Sequence, residues 1–250
     1  MSLIVVIAGF LGNDDAWTAL KEPWRIALGK RKALHMTELR WHGKSGTRTK
    51  ALLERLGPIP RECGLLPVWA SVRISDYLDL VDDTILTKAL SKGYVVAIQP
   101  LLAGILTYAS LLDERVAVVF EQQDQFSEIA LAIGNLFSAF DLFKTSDGLP
   151  RLCSIQFIPK ESSPLTEPAD YLAFQRLHNF RDPLSKKSAW CSSILRENDQ
   201  SIAIPLSRSQ VRALFSSPSQ NNLRKVGREL EPGLREIRRK RGWVEHGDKS

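Results

Sequence analysis

An acidic residue follows a short apolar run near the middle of the chain. Residues Val116 to Phe120 are continuous, apolar and rich in β-branched side chains, and Glu121 comes directly after them. Such a run predicts a strand that is buried on both faces. Because α/β proteins place their working groups at the carboxyl ends of strands, Glu121 is a candidate catalytic residue. The alternative is that Glu121 is simply the first solvated residue after the strand.

A second acid, Asp170, lies in the unusually apolar first turns of a predicted helix over residues 167–180. Charged side chains are rarely buried unless they are paired or bound to a metal, which makes Asp170 a second candidate site residue. His35 and Glu38 are three positions apart and would share a face if their segment were helical. A surface turn is at least as good an interpretation of that segment.

Strand and helix patterns alternate along the chain and must position these residues. Strands are predicted for residues 3–10, 65–74, 116–120, 152–158 and 202–204, and helices for 14–30, 47–56, 75–81, 126–140, 167–180 and 207–215. In the apolar stretch 94–112, a helix that starts near Pro100 is the simplest account, and a longer kinked helix is the alternative. The alternation predicts an α/β protein with a mixed central sheet flanked by helices.

The composition excludes several classes of protein. A chain of 250 residues with 44% hydrophobic and 25% charged residues is typical of a soluble globular protein. The three cysteines include no Cys-x-x-Cys pair, which disfavours a disulfide framework or zinc site and favours a reducing, cytoplasmic compartment. No apolar run reaches the roughly 18 residues of a membrane span, so no membrane partner is expected. The net charge of +6 permits an anionic partner.

Positive charge is concentrated at the end of the chain. From Ser219 onward there are nine basic and five acidic residues. The densest cluster contains Arg235, Arg238, Arg239, Lys240 and Arg241. Charge runs are usually solvated faces, and the functional alternative is an arm that contacts nucleic-acid phosphates. Apart from Trp243 the run lacks aromatic residues, so base stacking by this arm is not expected.

Four segments resemble, in order, those of a bacterial family called the domain of unknown function 3800 family. They are Ala8-Gly-Phe10 before a Trp-containing helix, Leu34-His-Met-Thr-Glu-Leu39, Val119-Phe-Glu-Gln122 and Glu167-Pro-Ala-Asp-Tyr-Leu-Ala-Phe174. Together they span about residues 4–180. The resemblance implies a ribonuclease H-like fold, in which carboxylates gather at strand ends around divalent metals that clamp a phosphodiester.

The resemblance also implies a site and a function. Glu121 and Asp170 would be catalytic ligands of Mg²⁺ or Mn²⁺, which take oxygen ligands. His35 and Glu38 fall in a matching motif to which the resemblance assigns no definite role, and they are candidate accessory residues. The implied function is that of a divalent-metal-dependent nuclease or phosphoryl-transfer enzyme. The alternative is a catalytically inactive nucleic-acid-binding or regulatory module that uses the basic tail and Lys30-Arg-Lys32.

One motif of the family is absent from this sequence. Family members usually begin with a strand that carries Asp-Glu-Ser-Gly, and no such motif occurs here. We therefore expect residues 1–182 to form a ribonuclease H-like domain that lacks its first strand, beside the 116–120 strand. A peripheral α/β extension over 183–217 and a basic, flexible or helical tail over 218–250 would follow. The unpaired strand edges would make the chain poorly soluble or oligomeric.

Overall fold

The computed structural model describes residues 4–39, 41, 43–73, 94–122, 124–159, 165–181 and 201–205. Within these ranges the chain is a mixed α/β protein with small sheets flanked by helices. The strands are β1 (Ile4–Leu11), β2 (Leu66–Arg73), β3 (Val116–Glu121), β4 (Leu152–Ile158) and β5 (Ile202–Pro205). The helices are α1 (Asp14–Leu28), α2 (Gly43–Leu56), α3 (Ile59–Glu62), α4 (Tyr94–Leu112), α5 (Asp124–Ala139) and α6 (Glu167–Arg181), with 3₁₀ turns at Met36–Glu38 and Asp141–Phe143.

Most elements predicted from the sequence are confirmed. All five predicted strands are present, and α1, α5 and α6 agree with the predictions to within two residues at each end. Helix α2 begins at Gly43, four residues earlier than predicted. The helices predicted over 75–81 and 207–215 lie outside the described residues, as does the whole of the basic tail.

The chain divides into two compact units. The N-terminal unit consists of Val6–Trp69 and Ile158–Ser201, and the central unit consists of Met1–Val5, Ala70–Phe157 and Ile202–Ser250. His35, Glu38 and Asp170 belong to the N-terminal unit, whereas Glu121 belongs to the central unit. The site residues predicted from the sequence are thus divided between the two units.

The N-terminal unit is built around α1 and α2. Asn13 caps α1, because its side-chain oxygen accepts a hydrogen bond from the Ala16 amide at 3.0 Å. Apolar residues at helical spacing then bury one face of each helix. Their core contains Leu20, Trp24, Leu28, Leu34, Met36, Leu39, Leu52, Leu53, Leu56, Ile59, Leu65 and Tyr171. Because three of these residues, Leu34, Met36 and Leu39, lie between α1 and α2, the core also holds the connection between the helices.

Gly46 allows the first turn of α2 to approach the preceding chain closely. A Cβ atom added at this position would lie 2.6 Å from the carbonyl oxygen of Trp41 and 2.7 Å from its carbonyl carbon. Both are main-chain atoms, so they cannot rotate away as the end of a side chain could. The start of α2 is therefore packed against the backbone of Trp41 in a way that requires glycine.

We expect Gly46→Ala to lower the free energy of unfolding by about 1–3 kcal/mol, because the added methyl group overlaps the Trp41 carbonyl. In an unhindered helix the same change would stabilise the protein by up to about 1 kcal/mol. Urea denaturation followed by circular dichroism measures the difference. Thr47→Ala, at the adjacent exposed position, is the control and should change little. A Gly46→Ala protein as stable as the parent would contradict this packing.

Strand β2 is the most deeply buried strand of the described structure. It lies in the middle of a three-stranded sheet whose order is β1-β2-β5. Its residues 66–72 are all buried, and Arg73 is exposed. A strand with a neighbour on each side and both faces covered can bury nearly every side chain.

The prediction that the Val116–Phe120 strand is buried on both faces is wrong. Among the described residues, β3 pairs only with β4, in a two-stranded sheet. Its side chains alternate between half-buried and exposed as far as Phe120, and Val119 is 41% exposed. An apolar run indicates a strand, but burial depends on which elements cover its faces, and that is set by tertiary context.

Strands β3 and β4 run parallel. The Val116 amide donates a hydrogen bond of 2.7 Å to the Arg151 carbonyl oxygen just before β4. Near the other end, the rings of Phe120 and Phe157 stack with centroids 5.7 Å apart. One contact joins the starts of the two strands and the other joins their ends, so the strands are parallel. Helix α5 provides the crossover that parallel strands need. Helix α5 also packs against α4.

The apolar stretch 94–112 forms one long helix, α4. The prediction of a helix that starts near Pro100 is wrong, and the alternative of a longer helix is confirmed. An interior proline removes one backbone hydrogen bond, and the packing of α4 against α5 and β5 is available to offset that loss. In the described part of the chain no helix, α4 included, has both the length and the hydropathy needed to cross a bilayer.

Candidate functional site

Asp170 contacts the segment that carries His35 and Glu38. Its Oδ2 atom accepts a hydrogen bond from the Met36 backbone amide at 3.2 Å. Met36 begins a short 3₁₀ turn, in which the Glu38 amide donates to the His35 carbonyl oxygen at 3.1 Å. Two of the segments predicted to form the site therefore lie together in the N-terminal unit. The contact between them is made by the main chain at Met36 and not by the side chain of His35 or Glu38.

Glu167, at the start of α6, is a buried acid that was not singled out from the sequence. The residue is 3% exposed. Its Oε2 atom accepts hydrogen bonds from the Trp24 indole nitrogen at 2.9 Å and from the Leu34 amide at 3.1 Å. A buried carboxylate needs such donors to offset its desolvation, and bonds to a charged acceptor are stronger than neutral ones. One oxygen atom thus ties α6 both to α1 and to the chain that follows α1.

Both acids lie in the first turn of α6, where the helix dipole favours negative charge. Three positions separate them, so they project from nearly the same side of the helix. Glu167 accepts the amide of Leu34, and Asp170 accepts the amide of Met36. The half-buried residue His35 lies between these two anchored residues. Asp170 therefore has a structural role that does not require a metal.

Removing the two carboxylates should lower stability by different amounts. We expect Glu167→Ala to reduce the free energy of unfolding by about 2–4 kcal/mol, because it leaves two buried N–H groups without an acceptor. Asp170→Ala should cost about 1 kcal/mol, since the partly buried hydrogen bond from the Met36 amide is lost. Urea denaturation in a buffer that contains a chelator measures both effects without metal. If Asp170 served only as a metal ligand, its removal would not change stability under these conditions.

Glu121 is the last residue of β3 in the central unit, and it is half-buried. The preceding residue, Phe120, is fixed by its stack on Phe157 of β4. The next residue, Gln122, is exposed. The predicted position of Glu121 at the carboxyl end of the strand is confirmed. Its role as a site residue stays a prediction.

Two aromatic rings lie at the start of the neighbouring helices of the central unit. Tyr94 begins α4, and Phe126 lies in the first turn of α5, five residues after Glu121 at the end of β3. Their ring centroids are 4.4 Å apart. Burial raises the pKa of Tyr94 to about 12. The Tyr94 hydroxyl is therefore uncharged at neutral pH, where it can donate a hydrogen bond but cannot act as a base.

The described residues do not fit the metal that the family resemblance implies. Among them, no group of three or more His, Cys, Asp or Glu side chains could hold an ion. Mg²⁺ needs an octahedral shell of oxygen atoms, and one Asp170 oxygen already accepts the Met36 amide. Glu121 and Asp170 belong to different units, so the metal site that the resemblance implies for them stays a prediction. A complete ligand set would have to include residues outside the described ranges.

A row of exposed cations lies on the N-terminal unit. Helix α2 carries Lys44, Arg48 and Arg55, whose spacing of four and seven residues puts them on one face. The Arg55 Nη2 atom donates a hydrogen bond of 3.3 Å to the Ala27 carbonyl oxygen near the end of α1. Three more exposed cations follow α1 directly. We call the six residues the basic band: Lys30, Arg31, Lys32, Lys44, Arg48 and Arg55.

The sequence stretch that carries the basic band contains few acids. Between residues 29 and 56 the sequence contains only two, Glu38 and Glu54. Glu54 lies 3.6 Å from Lys50, a residue outside the band, so that pair is already balanced. An exposed surface with an excess of one charge attracts partners of the opposite charge. The chemistry of the band therefore suits a polyanion.

Glu167 could not have been found from local sequence patterns. An acid in the first turn of a helix is normally a solvated residue that interacts with the helix dipole. Its burial depends on Trp24 and Leu34, which are 143 and 133 positions away in the sequence. For the basic band, Lys30-Arg-Lys32 was recognised in the sequence. The signal that could have added α2 is the spacing of its cations on one helical face.

Comparison with models of known families, with curated proteins and with solved structures finds no match to this chain. The family resemblance of the four sequence segments therefore stays a prediction. The chemistry of the described residues is the basis on which a function can be proposed.

Proposed function

We propose that this chain binds nucleic acid through the basic band. The observation that carries the proposal is the row of six exposed cations on α2 and after α1, in a stretch with only two acids. Lys and Arg side chains that neutralise phosphates release counterions, which drives binding to nucleic acid. Contacts to phosphates position the protein without reading bases. We therefore expect binding that depends little on sequence and strongly on salt.

The C-terminal tail is proposed to add further phosphate contacts. The support is its composition, with nine basic and five acidic residues from Ser219 onward. The proposed contact residues are Arg235, Arg238, Arg239, Lys240 and Arg241. Two basic segments on one chain can engage one polyanion together, and the second contact then forms at a high effective concentration.

The proposal also includes a ribonuclease H-like fold for the α/β part of the chain. Its support is the order of the four sequence segments that resemble the domain of unknown function 3800 family. The parallel β3-α5-β4 arrangement, with an acid at the end of β3, is compatible with that fold. The fold is consistent with either a binding or a catalytic function, because function depends on the site.

Neutralising part of the basic band should weaken binding and its dependence on salt. We expect the triple variant Lys30→Gln/Arg31→Gln/Lys32→Gln to bind more weakly. Each phosphate contact with a single strand contributes about 0.7 to the steepness with which log affinity falls against log salt, so the loss of three contacts should make that slope less steep by about 2. Fluorescence anisotropy with a labelled oligonucleotide across a salt series measures the affinity and the slope.

The matched control is Arg25→Gln, which removes an exposed cation that already pairs with Glu22 at 2.6 Å. It should leave the slope unchanged. A variant with Arg238, Arg239 and Lys240 changed to Gln measures the contribution of the tail in the same assay. If the triple variant of the basic band keeps the affinity and slope of the parent, the band is a solvated surface and the proposal fails.

A divalent-metal-dependent nuclease is the second candidate. The observation that favours it is the position of the half-buried Glu121 at the carboxyl end of β3, where α/β proteins place working groups. The family resemblance implies Mg²⁺ or Mn²⁺ as the cofactor and Asp170 as a second ligand. Because the described residues lack a complete ligand set, this candidate ranks below the binding function.

If this second candidate is correct, Mn²⁺ should raise the Tm of the parent protein and Glu121→Gln should remove the shift. The fold should survive the substitution, because glutamine has nearly the same shape and Glu121 is only half-buried at a strand end. Thermal unfolding with and without Mn²⁺ measures the shift. Glu128→Gln, an exposed acid on α5, is the control. The absence of any Mn²⁺ effect on the parent would exclude this site.

A further inference from the structure

An aromatic stack lies in the N-terminal unit, and one of its members, Trp41, lies between the two parts of the basic band in the sequence. The ring of Trp41 stacks on that of Phe174 from α6, with centroids 5.1 Å apart and planes within 7° of parallel. Phe174 also contacts the ring of His178, four residues later in α6, with ring centroids 4.2 Å apart. All three residues are half-buried, so each retains some contact with solvent.

Trp41 is held close to the cations of α2. Its main chain packs against Gly46 in the first turn of that helix. Lys44 lies three residues after Trp41, and Arg48 follows one helical turn later on the same face. The distance along the helix from Lys44 to Arg48 is about 6 Å at 1.5 Å per residue. Aromatic surface and positive charge are thus combined over a length comparable to one or two nucleotides.

The combination of aromatic rings and cations is typical of sites that bind single-stranded nucleic acid. The bases of a single strand expose their flat faces, which stack on aromatic side chains, while the backbone phosphates are bound by Lys and Arg. In a duplex the same faces are covered by neighbouring base pairs. Cations alone bind both single strands and duplexes. The aromatic residues would therefore be the cause of any preference for single strands.

We infer that the nucleic acid bound by this chain is single-stranded, with a base stacked at Trp41 and adjacent phosphates on Lys44 and Arg48. The inference rests on the proposed function and specifies its substrate class. The same rings also close the edge of the hydrophobic core. A Trp with this packing alone would contribute to stability but would not distinguish single strands from duplexes.

The test compares a labelled thymidine oligonucleotide with its duplex, using the full chain at one salt concentration. We expect the single strand to bind about tenfold more tightly than the duplex, which corresponds to one stacked base. Trp41→Leu should lower the single-strand affinity by a similar factor and leave duplex binding unchanged. Trp41→Phe, which keeps an aromatic ring, should retain most of the preference. A uridine oligonucleotide shows whether DNA and RNA are both accepted.

Trp17→Leu is the matched control, because Trp17 is also half-buried and packs against the same core. It should not alter the preference for single strands. Equal affinity of the parent for single strand and duplex would overturn the inference while leaving nucleic-acid binding intact. An equal loss of both affinities in Trp41→Leu would do the same. No binding of either form at low salt would overturn the proposed function as well. The comparison on the parent protein remains decisive if Trp41→Leu fails to fold.

Discussion

The buried carboxylate of Glu167 is the interaction on which the N-terminal unit depends. A single oxygen atom receives the Trp24 indole N–H and the Leu34 amide, and so connects α6, α1 and the chain between α1 and α2. Burying an acid is unfavourable unless donors replace its water, and here both donors come from residues far away in the sequence. The contact can therefore form only when these three parts are in their native arrangement. It favours one arrangement of the helices over alternatives that bury the same apolar residues.

The anchored segment determines what the N-terminal unit presents on its surface. Leu34 and Met36, in the segment that follows α1, are held by the two acids of α6. Exposed cations lie at the end of α1 and along α2, and the half-buried ring of Trp41 stacks on Phe174 of α6. Under the proposed function, the acids of α6 would contribute to nucleic-acid binding indirectly, by anchoring the segment beside these groups.

The sequence predicted the elements better than their environments. Helical spacing located α1, α5 and α6, because amphipathic periodicity is a local property. The apolar run of β3 was correctly interpreted as a strand, but its burial was overestimated, since β2 holds the central position with neighbours on both sides. Pro100 was expected near a helix start, yet it lies inside α4. Burial and neighbours depend on tertiary packing, which local patterns do not encode.

The candidate site could likewise be predicted only in part, because its contacts depend on tertiary packing. Asp170 was selected because an acid in an apolar helix needs a partner, and that reasoning was correct. The observed partner is the Met36 amide, whereas the family resemblance implied a metal. Glu167, three residues earlier, satisfies the same reasoning more strongly, but its burial is invisible without the fold. Among the cations, the run at Lys30 was visible in the sequence, and its continuation on α2 became clear from the Arg55 contact with α1.

The most direct test of the proposed interface is lysine footprinting. The full chain is acetylated with and without a saturating single-stranded oligonucleotide, and the modification of each lysine is read by mass spectrometry. The account predicts that Lys30, Lys32 and Lys44 are protected by the oligonucleotide, whereas Lys21, an exposed lysine of α1 outside the basic band, reacts equally in both samples. Equal modification of Lys30, Lys32 and Lys44 with and without bound oligonucleotide would contradict it.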